Sequence, residues 1–120
     1  MTLSPRQEVG RRAEEQAAGY LGERGLQLLA NHRCRFGELD LVMRDGATLA
    51  IVEVRRRQSA HFGGAAASVT PAKQRRIRLA TQHLLLTHAA LRRFPIRFDV
   101  VTIEPAATGT RIEWLRNAFR

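Results

Sequence analysis

Two carboxylates set in otherwise apolar runs are the residues of this chain most able to do chemistry: Asp40 in Gly37-Glu38-Leu39-Asp40-Leu41 and Glu53 in Ile51-Val52-Glu53-Val54-Arg55. Burying a carboxylate is costly without a partner. Two acids on adjacent strands, with a cation two residues after the second, make a seat for a divalent metal beside a phosphate to be cut. That is nuclease chemistry. Period-two geometry puts Glu53 and Arg55 on one face of their strand, and the short connection between the runs brings Asp40 close to them. Magnesium, a hard ion that takes one or two carboxylates with water and substrate oxygens, suits Asp40 and Glu53, and the backbone carbonyl of Val54 offers another oxygen.

A third acid, Glu14, lies three and seven residues before Ala17 and Leu21, at the border of a helix's buried stripe. Its neighbour Glu15 lines up with Arg11, Gly19 and Glu23 on the solvent side, so Glu14 is the better candidate. Each acid also has an ordinary structural role open to it. Glu14 reads as a solvated helix acid, Asp40 as a partner for Arg33 or Arg35, and Glu53 as one half of an in-strand ion pair with Arg55. Asp99, between Arg97 and Val101, reads as a structural ion pair rather than a ligand. His32, His61, His83 and His88 show no metal-ligand spacing. Cys34 is the only cysteine, which excludes an intramolecular disulfide and a zinc cluster built from cysteines.

The elements that must position these residues follow from caps and periodicity. Ser4-Pro5 starts a helix with Val9, Ala13, Ala17 and Leu21 at helical spacing, expected to run to about Arg24 and to stop at Gly25. Leu26 to Arg35 reads as a first strand. After a turn at Phe36-Gly37, the strand Glu38 to Met43 sets Leu39, Leu41 and Met43 on one face against Glu38, Asp40 and Val42 on the other. Asp45-Gly46 is a hairpin turn, and Thr48 to Arg57 is apolar on both faces except at Glu53, the pattern of a covered central strand. Gln58 to Val69, with His61-Phe62-Gly63-Gly64, reads as a mobile loop able to serve as a lid. Thr70-Pro71 starts a second helix with Ile77, Ala80, Leu84 and Leu91 toward a core, and Lys73 lies one turn earlier on that stripe. Pro95 breaks it, Ile96 to Ile103 is another covered strand, and Ile112 to Leu115 a last edge strand. The order α-β-β-β-α-β-β predicts an α/β domain, a mixed sheet flanked by helices, spanning residues 1–120 as one unit.

Charge supplies the partner. A formal net charge of +9 on 120 residues attracts phosphate polymers through counterion release, so nucleic acid is the expected partner. Of the 20 cationic side chains only Lys73 is a lysine. Where arginine replaces lysine wherever either serves, the surviving Lys73 marks a place for a compact, desolvatable ammonium. Arg55, Arg56 and Arg57, with Arg75, Arg76 and Arg78, are expected to flank the acids and to contact phosphate rather than read bases, which favours structure-selective over sequence-selective cutting. The few aromatics are not interleaved with basic residues and make no stacking platform. No stretch is apolar enough to cross a membrane, and the N-terminus lacks a secretory signal, so a cytoplasmic location is expected.

The residues quoted, from the Gly10 to Leu21 helix with Glu14 through Gly37-Glu38-Leu39-Asp40-Leu41, Val52-Glu53-Val54-Arg55, Phe62-Gly63-Gly64 and Lys73 to Arg97-Phe98-Asp99-Val100-Val101, also carry a family resemblance. The chain resembles the YraN family of uncharacterised bacterial proteins, similar to a branch of the restriction-endonuclease-like superfamily near archaeal Holliday-junction resolvases. The resemblance implies a restriction-endonuclease-like fold and a PD-(D/E)xK site in which Asp40 and Glu53 bind magnesium or manganese, Glu14 assists, and the cation two residues after Glu53 stabilises charge. Leu39 stands where the superfamily name has proline and Arg55 where it has lysine. A guanidinium suffices if the cation only neutralises charge on the phosphorane, but arginine stays protonated and cannot act as a base. If water must be oriented or deprotonated there, Lys73 would deputise from the second helix. The expected activity is metal-dependent DNA endonuclease, resolvase-like and therefore suited to a homodimer. The alternatives are a catalytically inactive nucleic-acid-binding protein of the same fold and an arginine-rich scaffold whose acids are only salt-bridged.

Overall fold

A computed structural model describes residues 2–58 and 67–120. Helix α1 spans Pro5–Glu23 and begins in a capping box: Ser4 Oγ accepts from the Gln7 N–H, and Gln7 returns a bond to the Ser4 N–H. It ends where Gly25 takes a φ of 96° and the Leu26 N–H closes back onto the Leu21 carbonyl. Strands β1 (Gln27–Cys34), β2 (Gly37–Asp45) and β3 (Thr48–Arg56) form an antiparallel meander. Gly46, with a φ of 59°, carries the tight turn between β2 and β3. Helix α2 (Pro71–Thr87) crosses over to β4 (Ile96–Ala106), which lies parallel to β3, and β5 (Gly109–Phe119) closes the other edge antiparallel to β4.

The result is a five-stranded mixed sheet in spatial order β1-β2-β3-β4-β5 with a helix on each face, the arrangement expected of a restriction-endonuclease-like domain. Helix α1 packs Ala13, Ala17 and Leu21 on Leu41, Met43, Ala50, Val52 and Val101. Helix α2 packs Ile77, Ala80 and Leu84 on Leu39, Val42, Leu49, Ile51 and Val100. Both faces of β3 are thus covered, which is why its apolar run is continuous. Leu91 falls not on α2 but in a short 3-10 helix, Ala89–Arg93, that still packs on the α2 face. The last strand is longer than its apolar centre suggests, because β4 continues to Ala106 and its polar residues need ladder partners, among them Arg111 opposite Glu104.

One expectation about β2 is corrected. Leu39 does not share a face with Leu41 and Met43. It joins Val42 beneath α2, while Leu41 and Met43 lie beneath α1. The cause is a bulge: β1 advances from Ala30 to His32 while β2 spans Leu39 to Val42, one residue more. The slip falls on Asp40 and Leu41. Residues 59–66, the glycine-bearing centre of the expected lid, lie outside the described residues.

Candidate active site

The bulge decides where Asp40 goes. Its carboxylate turns out of strand alternation toward β3, where Oδ2 accepts the Val54 N–H at 2.9 Å. The β2–β3 ladder reaches Leu41 opposite Val52, and just beyond it the side chain stands in for a ladder carbonyl. Asp40 therefore sits where the two strands part and borders concavities on both sides of the sheet. One contains Glu14, Val54, Arg55 and Lys73, another Phe36, Lys73 and Arg76, and a third Glu14 and Leu28.

Glu53 lies on the α2 side of β3 and is 1% exposed. Neither of its carboxylate oxygens has a hydrogen-bond partner among the described residues. The nearest cation is Lys73, with Nζ 3.7 Å from Oε1. The cap of α2 fixes that approach, since Thr70 Oγ1 accepts the Lys73 N–H at 3.2 Å. The in-strand pair with Arg55 that sequence allowed is replaced by this cross-element one. Arg55 lines the same cleft beside Lys73 and acts on Asp40 and Glu53 as a weaker positive influence than Lys73. Of the arginines offered to Asp40, Arg33 pairs with Glu38 at 3.2 Å instead.

All three acids are held toward their protonated forms. Burial, then the neighbouring Asp40 charge, pushes Glu53 up to about 8, with Lys73 pulling in the opposite direction. Burial raises Asp40 as well, opposed by the Val54 N–H and by Lys73. Glu14, half-buried on α1, is raised to about 7 by burial, then by Asp40 and Glu38. Glu15 lies on the solvent side of α1, paired with Arg11 at 3.6 Å. Asp40 stands between the other two acids, acting on Glu53 and on Glu14, and the unsatisfied buried carboxylate beside it makes a donor pair that fits a hard divalent cation, which takes oxygen ligands and relieves mutual repulsion. Asp40 and Glu53 would hold it, with the Val54 peptide at the same point.

The flanking arginines divide. Arg55, Arg56 and Arg76 border the concavities. Arg57 follows the end of β3 with its N–H on the Ile103 carbonyl, Arg75 is exposed on α2, and Arg78 is turned away to donate to the Arg120 carbonyl at 2.8 Å. Sequence reading missed Arg6, which borders the cleft together with Gly10 and Glu14. Their spacing of four residues along one face of α1 was the available signal. It also missed a second group of side chains: His32, Cys34 and His83 converge between β1 and α2. Their partners are distant in the chain, so spacing alone could not bring them together. Asp99 is the structural ion pair expected, bound by both the Nε and Nη2 of Arg97 at 2.9 Å.

The sequence profile of Uncharacterised protein family UPF0102 matches residues 13–103, a stretch that contains Glu14, Asp40, Glu53 and Lys73. A UPF0102 protein of Cupriavidus taiwanensis is 53% identical over 117 residues, covering 95% of this chain and 84% of its own. A UPF0102 protein of Legionella pneumophila is 46% identical over 114 residues, covering 94% and 95%. One from Methylococcus capsulatus is 47% identical over 117 residues, covering 97% and 94%. Among the described residues no helix is long and apolar enough to cross a membrane.

Proposed function

Because the chain belongs to the uncharacterised protein family UPF0102, whose name assigns no activity, we infer its function from the cleft and propose a metal-dependent DNA endonuclease that hydrolyses phosphodiester bonds. The observation that carries this reading is Glu53: a buried carboxylate whose two oxygens accept no hydrogen bond among the described residues, next to Asp40 and faced at ion-pair distance by the chain's only lysine. A stable fold has no structural use for such a group, whereas a magnesium or manganese site does.

The residues divide the work as follows. Asp40, steadied by the Val54 N–H, and Glu53 would hold the ion, which when bound would supply Lewis acidity and a nucleophilic water. Glu14, with its carboxyl near neutrality on the cleft wall, is suited to accept the proton as the water oxygen bonds to phosphorus. Lys73 stabilises the charge that develops on the phosphate oxygens before the bond to the leaving sugar oxygen breaks. Arg55, Arg56 and Arg76 contact flanking phosphates, and these contacts follow backbone shape rather than base identity, which supports a preference for branched DNA.

The test is strand cleavage of branched and linear DNA by wild type and Asp40→Asn, with manganese or chelator, measured alongside binding. The asparagine can still accept the Val54 N–H, so it removes charge with little change of shape. Metal-dependent cutting by wild type and none by the variant is the expected result. Salt-sensitive binding by both without cutting would instead favour a nucleic-acid-binding protein of the same fold, a reading that the arginine at position 55 keeps in play.

The two cations are separable. Lys73→Met is expected to slow cleavage by about 10²–10³, corresponding to ~2.7–4 kcal/mol for one charge-stabilising donor. Arg55→Lys should change it little. Single-turnover rates of the two variants, at equal DNA occupancy, decide the matter: a larger loss at Arg55 would reassign the role.

A further inference from the structure

A second constellation lies apart from the cleft residues in chemistry and in composition. In β1 only His32 and Cys34 are half-buried while the rest of the strand is exposed, and period-two geometry sends both toward α2. Helix α2 presents His83 to them: His32 Nε2 and His83 Nδ1 are 2.9 Å apart, and the rings are tilted with centroids at 5.1 Å. The donor atoms of His32, Cys34 and His83 all fall within 4.8 Å of one another. A third imidazole, His88, stands edge-on to His32 at 6.1 Å.

We propose that His32 Nε2, Cys34 Sγ and His83 Nδ1 form a binding site for a borderline transition-metal ion of the zinc class, with a fourth position left for water. Tetrahedral zinc with bonds of about 2.0–2.1 Å to nitrogen and 2.3 Å to sulfur needs donor atoms roughly 3.3–3.8 Å apart. The observed separations, 2.9 Å between the two nitrogens and no more than 4.8 Å for any pair, bracket that range. Thiolate and imidazole select zinc over magnesium, while the oxygen donors of the cleft do the reverse, so the two sites would load independently. The ion would tie the exposed edge strand β1 to the helix that carries Lys73. Unlike the acids of the cleft, these groups have no part in the nuclease reading, and the inference stands or falls without it.

The experiment uses the untagged full chain, freed of metal and titrated with cobalt(II), then zinc, in excess magnesium. One ion per chain is expected, with the near-ultraviolet charge-transfer band of a cobalt–thiolate bond, lost on displacement by zinc, and with a raised melting temperature. Because Cys34 is the only cysteine, that band can have one origin. Cys34→Ser and His83→Ala should abolish it and weaken zinc binding by roughly 100-fold or more, the upper end of what losing a mere supporting hydrogen bond to a ligand costs. Asp40→Asn should leave both readouts unchanged. Absence of the band in wild type, or zinc binding that survives Cys34→Ser and disappears in Asp40→Asn, overturns the assignment. Circular dichroism of the metal-free variants checks that they fold, and Cys34→Ser, the smaller change, carries the test should His83→Ala not.

Discussion

Glu53→Gln is expected to raise the melting temperature at pH 8 without metal while reducing cleavage by at least about 100-fold, since a ligand is lost and not only its support. The sign follows from linkage. Glu53 titrates at about 8 when folded against 4.5 for the free side chain, so the folded chain binds this proton more tightly than the unfolded one. Its contribution is fully present below pH 4.5 and is lost as pH rises through about 8. Glutamine keeps the shape and does not titrate, so the variant's advantage should be absent at pH 4 and grow to several degrees at pH 8, at about 4 °C for each kcal/mol. Lys73, left without its partner, is one-third exposed and can be met by water. Manganese should narrow that gap, stabilising wild type by ~2.7 kcal/mol at a hundred times its Kd and the variant hardly at all. Thermal melts at the two pH values, with and without metal, decide it. A variant no more stable than wild type at pH 8 would remove the argument that this carboxylate is held at a cost for function.

Asp99→Ala is expected to be the most destabilising single change in the chain. Asp99 is fully buried and its two oxygens receive four bonds: Arg97 Nε and Nη2 at 2.9 Å, Trp114 Nε1 at 3.1 Å, and the Asn117 N–H at 2.9 Å. The last of these matters for β5. Between the pairs Val100–Leu115 and Phe98–Phe119 the strand carries extra residues, and Asn117 adopts a φ of 53°, a conformation that needs support in a residue with a side chain. Removing one partner of a buried ion pair typically costs about 3–5 kcal/mol. Arg97 retains Asp45 at 2.9 Å, so the lower half of that range applies to the charge itself. Loss of the Asn117 and Trp114 bonds moves the total upward. A fall of about 12–20 °C in melting temperature is expected, with cleavage per folded molecule unchanged well below the transition. A drop of only a few degrees would mean that β5 holds its course without Asp99.

Asp40, Glu53, Glu14 and Lys73 were legible in the sequence because each breaks a local pattern: an acid in a strand, an acid at the edge of a buried stripe, a lone lysine among arginines. The element order was legible for the same reason, since Ser4-Pro5, Asp45-Gly46 and Thr70-Pro71 act over a few residues. The face assignment of Leu39 was not, because a bulge is a property of two paired strands and leaves strict alternation in either one alone. Nor was the meeting of His32 with His83, which depends on where α2 lands on the sheet. The setting of Arg78 is illegible for a related reason: its partner, the Arg120 carbonyl just past β5, is brought to α2 by tertiary packing alone.

The parallel pairing of β3 with β4 sets the order in which the site can assemble. Asp40 and Glu53 stand on strands joined by a tight turn, so their meeting requires only local closure. Glu53 and its ladder neighbour Val100 lie on opposite sides of the whole crossover, and that contact requires closing the long segment that contains α2. Loop-closure entropy makes such pairing the slow event in folding. The two acids can therefore come together before Lys73 arrives to face them, so a divalent ion present during folding would neutralise the meander's charge earliest. Refolding rate, not only final stability, should then rise with magnesium or manganese.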